Sequence, residues 1–213
     1  MLRTSFDAPR DDREWQDFLR QQKFGQVVAS GTGREIPVIT PTHYIFDGDK
    51  QIEFHVHRSN PILQALAEKP VATLTVVDAS CFIPSSWNNE PDEDPAWGAP
   101  TSYYAAAHAT GETSLITGEQ LADLLNRQTH EFQPEGNTHR VVVGNSYFGR
   151  ALAAIVGVKI VISHVDAKFK FGGNRTATHR LQIAQNLLAR GEKGDASAVF
   201  HLLRRTNFAE ARG

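Results

Sequence analysis

The sequence predicts an α+β chain built around an antiparallel β-barrel, with flanking helices at both ends. Many short strand-like runs are separated by turn residues, one early helix interrupts them, and the remaining helical periodicity gathers toward the termini. A doubly wound sheet would alternate strands with helices and carry a phosphate-binding glycine fingerprint. Here Gly31-Thr32-Gly33 lacks the third glycine and no P-loop pattern occurs. With 213 residues at 40% hydrophobic composition, one ordinary domain with a helical appendage is expected.

The elements follow in order. Behind the cap candidates Asp11 and Asp12, Glu14 to Gln22 sets Trp15, Phe18 and Leu19 on one face, the spacing of a short amphipathic helix. Strands are expected at Gln26 to Ser30, Ile36 to Thr40 and Tyr44 to Phe46, with turns at Gly31-Thr32-Gly33 and Asp47-Gly48. Ile52, Phe54 and Val56 then alternate with Glu53, His55 and His57, so one face of that strand is core and the other carries two imidazoles. Asn60 can cap, and Pro61 start, a helix holding Ile62, Leu63 and Leu66, which ends near Lys69-Pro70.

Val71 to Val77, Ser80 to Ile83 and Tyr103 to Leu115 read as further strands around an acidic loop from Pro84 to Pro100. Thr117 and Gln120 form a capping-box pair for a helix to about Gln128, and Ile155 to Val165 alternates as a closing strand. Thr176 caps a helix carrying Leu181, Ala184, Leu187 and Leu188 that Gly191 stops, and Asp195 starts a last one with Val199, Leu202 and Leu203. The domain organisation expected is a barrel over 1–175 and a helical extension over 176–213 packed on it.

Composition narrows the function. A lone cysteine, Cys81, allows no intramolecular disulfide, the opening residues lack a signal-peptide pattern, and no apolar run reaches membrane-spanning length, so a cytoplasmic location is expected. A net charge of −2 gives the whole chain no pull toward phosphate backbones, and DNA binding would need a local basic face.

Three constellations could carry chemistry. In His55-Val56-His57-Arg58-Ser59-Asn60-Pro61 a strand runs into a helix start beside an arginine, which suits a phosphate; a capped helix with a solvated arginine explains the same residues. His43, His55 and His57 could converge as nitrogen ligands, but the carboxylate such a site wants is absent, and no metal is expected. The run Lys168-Phe169-Lys170-Phe171-Gly172-Gly173-Asn174-Arg175 alternates cations and rings, fitting either a planar or nucleic-acid ligand or a basic edge strand that resists aggregation. Cys81 reads as a buried structural thiol, and Glu90, Asp92, Glu93 and Asp94 as solvated loop charge. Arg180, Arg190, Arg204 and Arg205 around Gly191 to Gly194 are faintly helix-turn-helix-like, yet two basic amphipathic helices packed on a barrel account for them.

Taken in order, these segments resemble the PaiB-type family of FMN-binding negative transcriptional regulators. The resemblance begins at Phe24-Gly25, Thr42-His43, His55 and Arg58-Ser59-Asn60-Pro61. Phe82-Ile83-Pro84-Ser85-Ser86-Trp87 is similar to the family's Tyr-Ile-Ser-x-Ser-Trp block, and Pro100-Thr101, Tyr104, Ala106, His108 and Gly111 to its Pro-Thr-Trp-Asn-Tyr-x-Ala-Val-His-x-x-Gly block. Ile155-Val156-Gly157, then Lys168-Phe169-Lys170 and Asn174-Arg175, complete it, so that it spans about Phe24 to Leu188. Ser102 and Phe169 stand where the family has Trp, and Gly172-Gly173 where it has Ser-Gln, which bears on flavin affinity more than on fold.

The resemblance implies an FMN-binding split β-barrel, antiparallel and Greek-key-like, forming a homodimer with FMN at the subunit interface. It implies the phosphate at His55, Arg58, Ser59 and Asn60, the ring against Thr40-Pro41-Thr42-His43, and the partner side near Trp87, Tyr104, His108, Lys168 and Lys170. The function expected is a flavin-dependent sensor or transcriptional regulator, with DNA or another regulatory partner. The alternative is a small FMN-dependent oxidoreductase using NAD(P)H or another donor. Heme on His43, His55 or His57 is an outside third reading.

Overall fold

The first helix is fixed by its own side chains. Asp11 Oδ1 accepts the Glu14 amide at 3.0 Å and Glu14 Oε2 accepts the Arg10 amide at 2.8 Å, satisfying donors at the helix start. From there α1 (Asp12–Gln22) buries Trp15, Phe18 and Leu19, as their spacing requires. The structure, a computed structural model, describes residues 1–89 and 94–206.

The chain continues through β1 (Phe24–Ala29), β2 (Val38–His43), β3 (Ile45–Phe46), β4 (Gln51–His57), α2 (Ile62–Glu68), β5 (Val71–Ile83) and β6 (Thr101–Ile116). It ends with α3 (Gly118–Phe132), α4 (Ser146–Ala154), β7 (Ile155–Lys170), α5 (Ala177–Arg190) and α6 (Asp195–Arg204). The strands form one seven-stranded sheet in the order β2-β1-β5-β6-β7-β4-β3, and the pairings of β1 with β2 and β5, and of β4 with β3 and β7, are antiparallel. Two compact units divide the chain: Trp15–Val76 with His108–Val165, and Met1–Glu14 with Val77–Ala107 and the chain from Asp166 onward. No helix among the described residues is long and apolar enough to cross a membrane.

In the first of these units the sheet must close on itself. β2 and β3 stand at opposite ends of the strand order, yet only Tyr44 separates them in the chain. A single residue spans under about 4 Å, so the two edges come together as a barrel. Tyr44 is buried, its amide bonds the Lys23 carbonyl at 3.0 Å, and its hydroxyl donates to the Leu19 carbonyl at 2.7 Å. Leu19 lies in the last turn of α1, where carbonyls have no partner within the helix, so the phenol completes that helix end. Inside lie Val27, Ile52, Phe54, Leu74, Val158 and Ile160, each stabilising by roughly 1.5–3 kcal/mol when withdrawn from water. Gly111 is required by close approach: a Cβ there would run into the Val161 carbonyl.

Several expectations shift. β2 lies nearer the C-terminus than anticipated and contains Pro41, which is tolerated because an edge strand has one side without ladder bonds. The strands expected on either side of Asp78 are one strand, β5, kinked at Ala79 with φ 56°. Thr117 makes no side-chain cap to α3, which nevertheless runs one turn past Gln128. α4 was not anticipated; Asn145 caps it by accepting the Tyr147 amide at 2.9 Å. Ile155 to Lys170 is a single strand, β7, which pairs with β4 over Ile155 to Val161, so the Lys-Phe alternation lies beyond that pairing. Glu90, Asp92 and Glu93 lie outside the described residues, whereas Asp94 accepts the Ala96 amide at 2.9 Å.

The second unit is held by α5, α6 and the aromatic end of β7. Thr176 Oγ1 accepts the His179 amide at 3.2 Å and Gly191 closes α5 at φ 67°, both as the sequence predicts. Leu188 faces out, and Ile183, Ala184 and Leu187 form the buried stripe. The arginines that raised a helix-turn-helix reading serve the fold instead. Buried Arg180 donates to the Leu202 and Arg205 carbonyls at 3.0 Å, Arg190 grips Asp195, and Arg204 and Arg205 pair with buried Glu14. Burial pushes the Cys81 thiol up to about 11, as befits an inert structural group.

Two outcomes are expected. Tyr44→Phe removes a buried hydrogen bond and should lower stability by about 1–2 kcal/mol in urea unfolding. His201 stacks on Phe171 at 5.0 Å and accepts from Arg204 Nε at 3.1 Å. Burial, then the Arg204 charge, drives its pKa down from 6.5 to about 4. The unfolded chain therefore binds a proton below pH 6.5 that the native state refuses, so stability falls as pH drops from 6.5 toward 4. Urea midpoints at pH 7 and 5 should register a loss on the order of 2 kcal/mol that His201→Phe abolishes.

Candidate functional site

Closing the barrel leaves β2 with one unpaired side, and the site forms beside it. Pro41, Thr42 and His43 of β2, Phe24 of β1 and His55 of β4 line a cavity of about 560 Å³ together with Leu125, Gln128, Thr129 and Phe132 of α3 and Gln133 just beyond it. This volume lies in the range of small-molecule sites. The His43 ring sits edge-on to Phe24 at 4.8 Å and to Phe132 at 5.1 Å, tying the end of α3 to the β1–β2 hairpin. His55 projects from the polar face of β4, and its Nδ1 bonds Oε1 of buried Gln128 at 2.6 Å. With the amide oxygen on Nδ1, the neutral ring carries its proton there and Nε2 is an acceptor.

The corner after β4 is firmly built. Arg58 donates its amide to the Ala154 carbonyl and its Nε to the Ala153 carbonyl, each at 2.8 Å, closing the open C-terminal end of α4. Ser59 Oγ lies 2.7 Å from His57 Nδ1. Asn60 Oδ1 accepts the Ile62 amide at 3.0 Å, the cap the sequence predicts, and also the hydroxyl of buried Thr40 at 3.2 Å. Thr40 thereby joins this corner to β2, whose next three residues, Pro41 to His43, lead roughly 10 Å along the cavity wall. α2 is only seven residues long, so its dipole adds little; charge here comes from Arg58, whose Nη groups carry no bond among the described residues.

Of the remaining expected site residues, His108 is half-buried in the barrel part of β6. Trp87, Tyr104, Lys168 and Lys170 belong to the second unit. There Arg190 covers the Trp87 ring at 5.0 Å, Lys168 lies 5.9 Å over the Tyr104 ring, and Lys170 Nζ donates to Thr101 Oγ1 at 2.7 Å. His57 is exposed, and no group of three or more metal-ligating side chains exists among the described residues.

Not foreseen as lining residues were Phe24 and the α3 set. Leu121, Leu124, Gln128 and Phe132 follow helical spacing, so the pattern was present, but a glutamine in the stripe reads as its end.

The geometry has relatives. A curated protein of Bacillus subtilis (strain 168), "Protease synthase and sporulation protein PAI 2", is 22% identical over 185 residues, which cover 85% of this chain and 86% of that protein. The FAD and heme binding protein from Mycobacterium smegmatis superposes with a TM-score of 0.60 at 18% identity, covering 81% of this chain and 78% of its own. The flavocytochrome Anf3 from Azotobacter vinelandii gives 0.53 at 16% identity, covering 77% and 69%. At such identities the two structures speak to the fold alone, and that fold is the split β-barrel the resemblance implied. Residues 1–164 match the family described as "Putative FMN-binding domain", and the chain belongs to that family.

Proposed function

We propose that this protein binds FMN along β2 of the barrel and, as a homodimer, acts as a flavin-dependent sensor that regulates a partner. The observation that carries the reading is the cavity in which the Pro41–His43 edge meets the polar and aromatic face of α3. Bound flavin would supply reversible electron transfer; the chain supplies a wall and an anion-binding corner. Pro41 and Thr42 offer a flat backbone surface, His43 is braced between two rings, and His55 is oriented by Gln128. Arg58 and Ser59, anchored to β2 through Asn60 and Thr40, are the groups for the phosphate.

Exposed apolar surface supports the dimer. Phe24 is 49% and Ile39 55% exposed beside the open edge of β2, a patch that a second copy would cover. The regulatory role takes support from the name of the Bacillus relative, which calls it a protease synthase and sporulation protein. Reduction of the flavin would then change the hold on a protein or DNA partner. A flavin oxidoreductase is the second reading, favoured by two imidazoles, His43 and His55, in the cavity wall, where a proton donor or acceptor could serve the reduced ring.

The absorbance spectrum of the purified protein after FMN addition and desalting should show retained flavin bands, and sedimentation should give a dimer. A colourless monomer would refute the proposal, and a Soret band in place of flavin bands would redirect it to heme. NAD(P)H oxidation by the holoprotein, if found, selects the oxidoreductase reading. Arg58→Ala should weaken FMN binding by about 1.5–3 kcal/mol in a fluorescence-quenching titration, the loss of a charge-assisted hydrogen bond. Unchanged affinity would move the phosphate away from this corner.

A further inference from the structure

The cavity beside β2 is lined by no Asp, Glu, Lys or Arg among the described residues, so it suits an uncharged part of a ligand. What it offers instead is a pair of polar side chains with unused capacity. His55 Nδ1 and Gln128 Oε1 lie 2.6 Å apart and satisfy one another, which leaves one ring nitrogen and one amide nitrogen over. Gln128 is 6% exposed, and its amide nitrogen has no hydrogen-bond partner among the described residues. The same holds for Nε2 of half-buried His55. Neither atom is sealed in the interior, so both open onto the cavity that their residues line. Buried side chains normally use their polar atoms, and a glutamine nine-tenths buried that keeps its amide nitrogen for a cavity wall points to a ligand.

The bond between the two residues fixes what they present. With Oε1 accepting from Nδ1, the Gln128 amide nitrogen is a donor and His55 Nε2 an acceptor. Turned over, the amide nitrogen would donate to Nδ1, the amide oxygen would face the cavity as an acceptor, and the ring would carry its proton on Nε2 as a donor. Either way the neutral pair shows one donor and one acceptor, side by side.

We infer that His55 and Gln128 together read an edge in which a carbonyl adjoins an N–H, and that in FMN this is the imide edge of the flavin pyrimidine ring. The inference rests on the flavin reading for the identity of the ligand. It moves His55 from the phosphate, where the resemblance put it, to the ring, and leaves the phosphate to Arg58 and Ser59. A heme, whose oxygens belong to carboxylates with no neighbouring N–H, has no such edge. Gln128 is then a binding residue as well as the partner that orients His55.

Fluorescence-quenching titration of the full chain, freed of any bound flavin, compares FMN with N3-methyl-FMN, which differs only in lacking the imide N–H. Wild type should hold FMN about tenfold more tightly, the effect of one hydrogen bond. The double variant His55→Phe, Gln128→Leu removes both partners and strands neither, so it should fold with a near-normal urea midpoint. It should bind the two flavins alike, and FMN at least about tenfold more weakly than wild type does. Equal binding of the two flavins by wild type, or a preference that survives in the double variant, would overturn the inference. If FMN does not bind at all, the flavin reading falls, and NMR titration with uracil against 1,3-dimethyluracil decides the edge separately. Shifts at the His55 and Gln128 amides with uracil alone would uphold it, and their absence would end it.

Discussion

A sheet whose first and last strands are separated by one residue has no freedom to lie open. The β2–Tyr44–β3 connection draws the two edges together, and much else in the barrel unit answers to that closure. Tyr44 turns inward because the short connection leaves it nowhere else to go, and its hydroxyl then finds a carbonyl that α1 had left open. Gly111 follows from the same crowding: backbone from β7 approaches too near for any side chain.

Closure also explains why the cavity forms where it does. β2 pairs with β1 on one side and retains an unpaired flank, a position in which Pro41 removes no ladder bond. An exposed strand edge invites association, and here α3 and the rings of Phe24, His43 and Phe132 shape the space next to it. The Arg58 corner depends on the same strand through the Thr40–Asn60 bond, while Arg58 itself closes α4. In the proposed site, cavity-lining and structural duties therefore fall on the same few residues, with Gln128 lining the cavity and bonding His55 from a buried position.

Much of this was legible from residues alone. Capping chemistry marked α1, α2 and α5 because Asp11, Asn60 and Thr176 satisfy donors within their own helices. Alternation found β4 and the start of β7 for the same reason of locality. The lapses came where distant packing overruled local pattern: Ala79 passes through a left-handed conformation that keeps β5 continuous, and Thr117 starts α3 without lending its hydroxyl. α4 went unseen because its residues are not buried enough to imprint a stripe on the sequence. In the site, strand residues Pro41, Thr42, His43 and His55 were anticipated and helical ones were not, since Gln128 looks like an end to the apolar periodicity until its bond to His55 is known. The arginines of α5 and α6 resembled a nucleic-acid surface in sequence and became internal ties once Glu14, Asp195 and open carbonyls met them.

The central claim is that flavin lies along the β2 edge, beneath the last turns of α3. Backbone amide shift mapping by NMR on addition of FMN addresses it directly. Perturbations concentrated at Thr42, His43, His55 and Gln128 to Gln133, fading away from the barrel edge, are the result this account requires. Shifts that leave those amides unmoved and cluster elsewhere would contradict it.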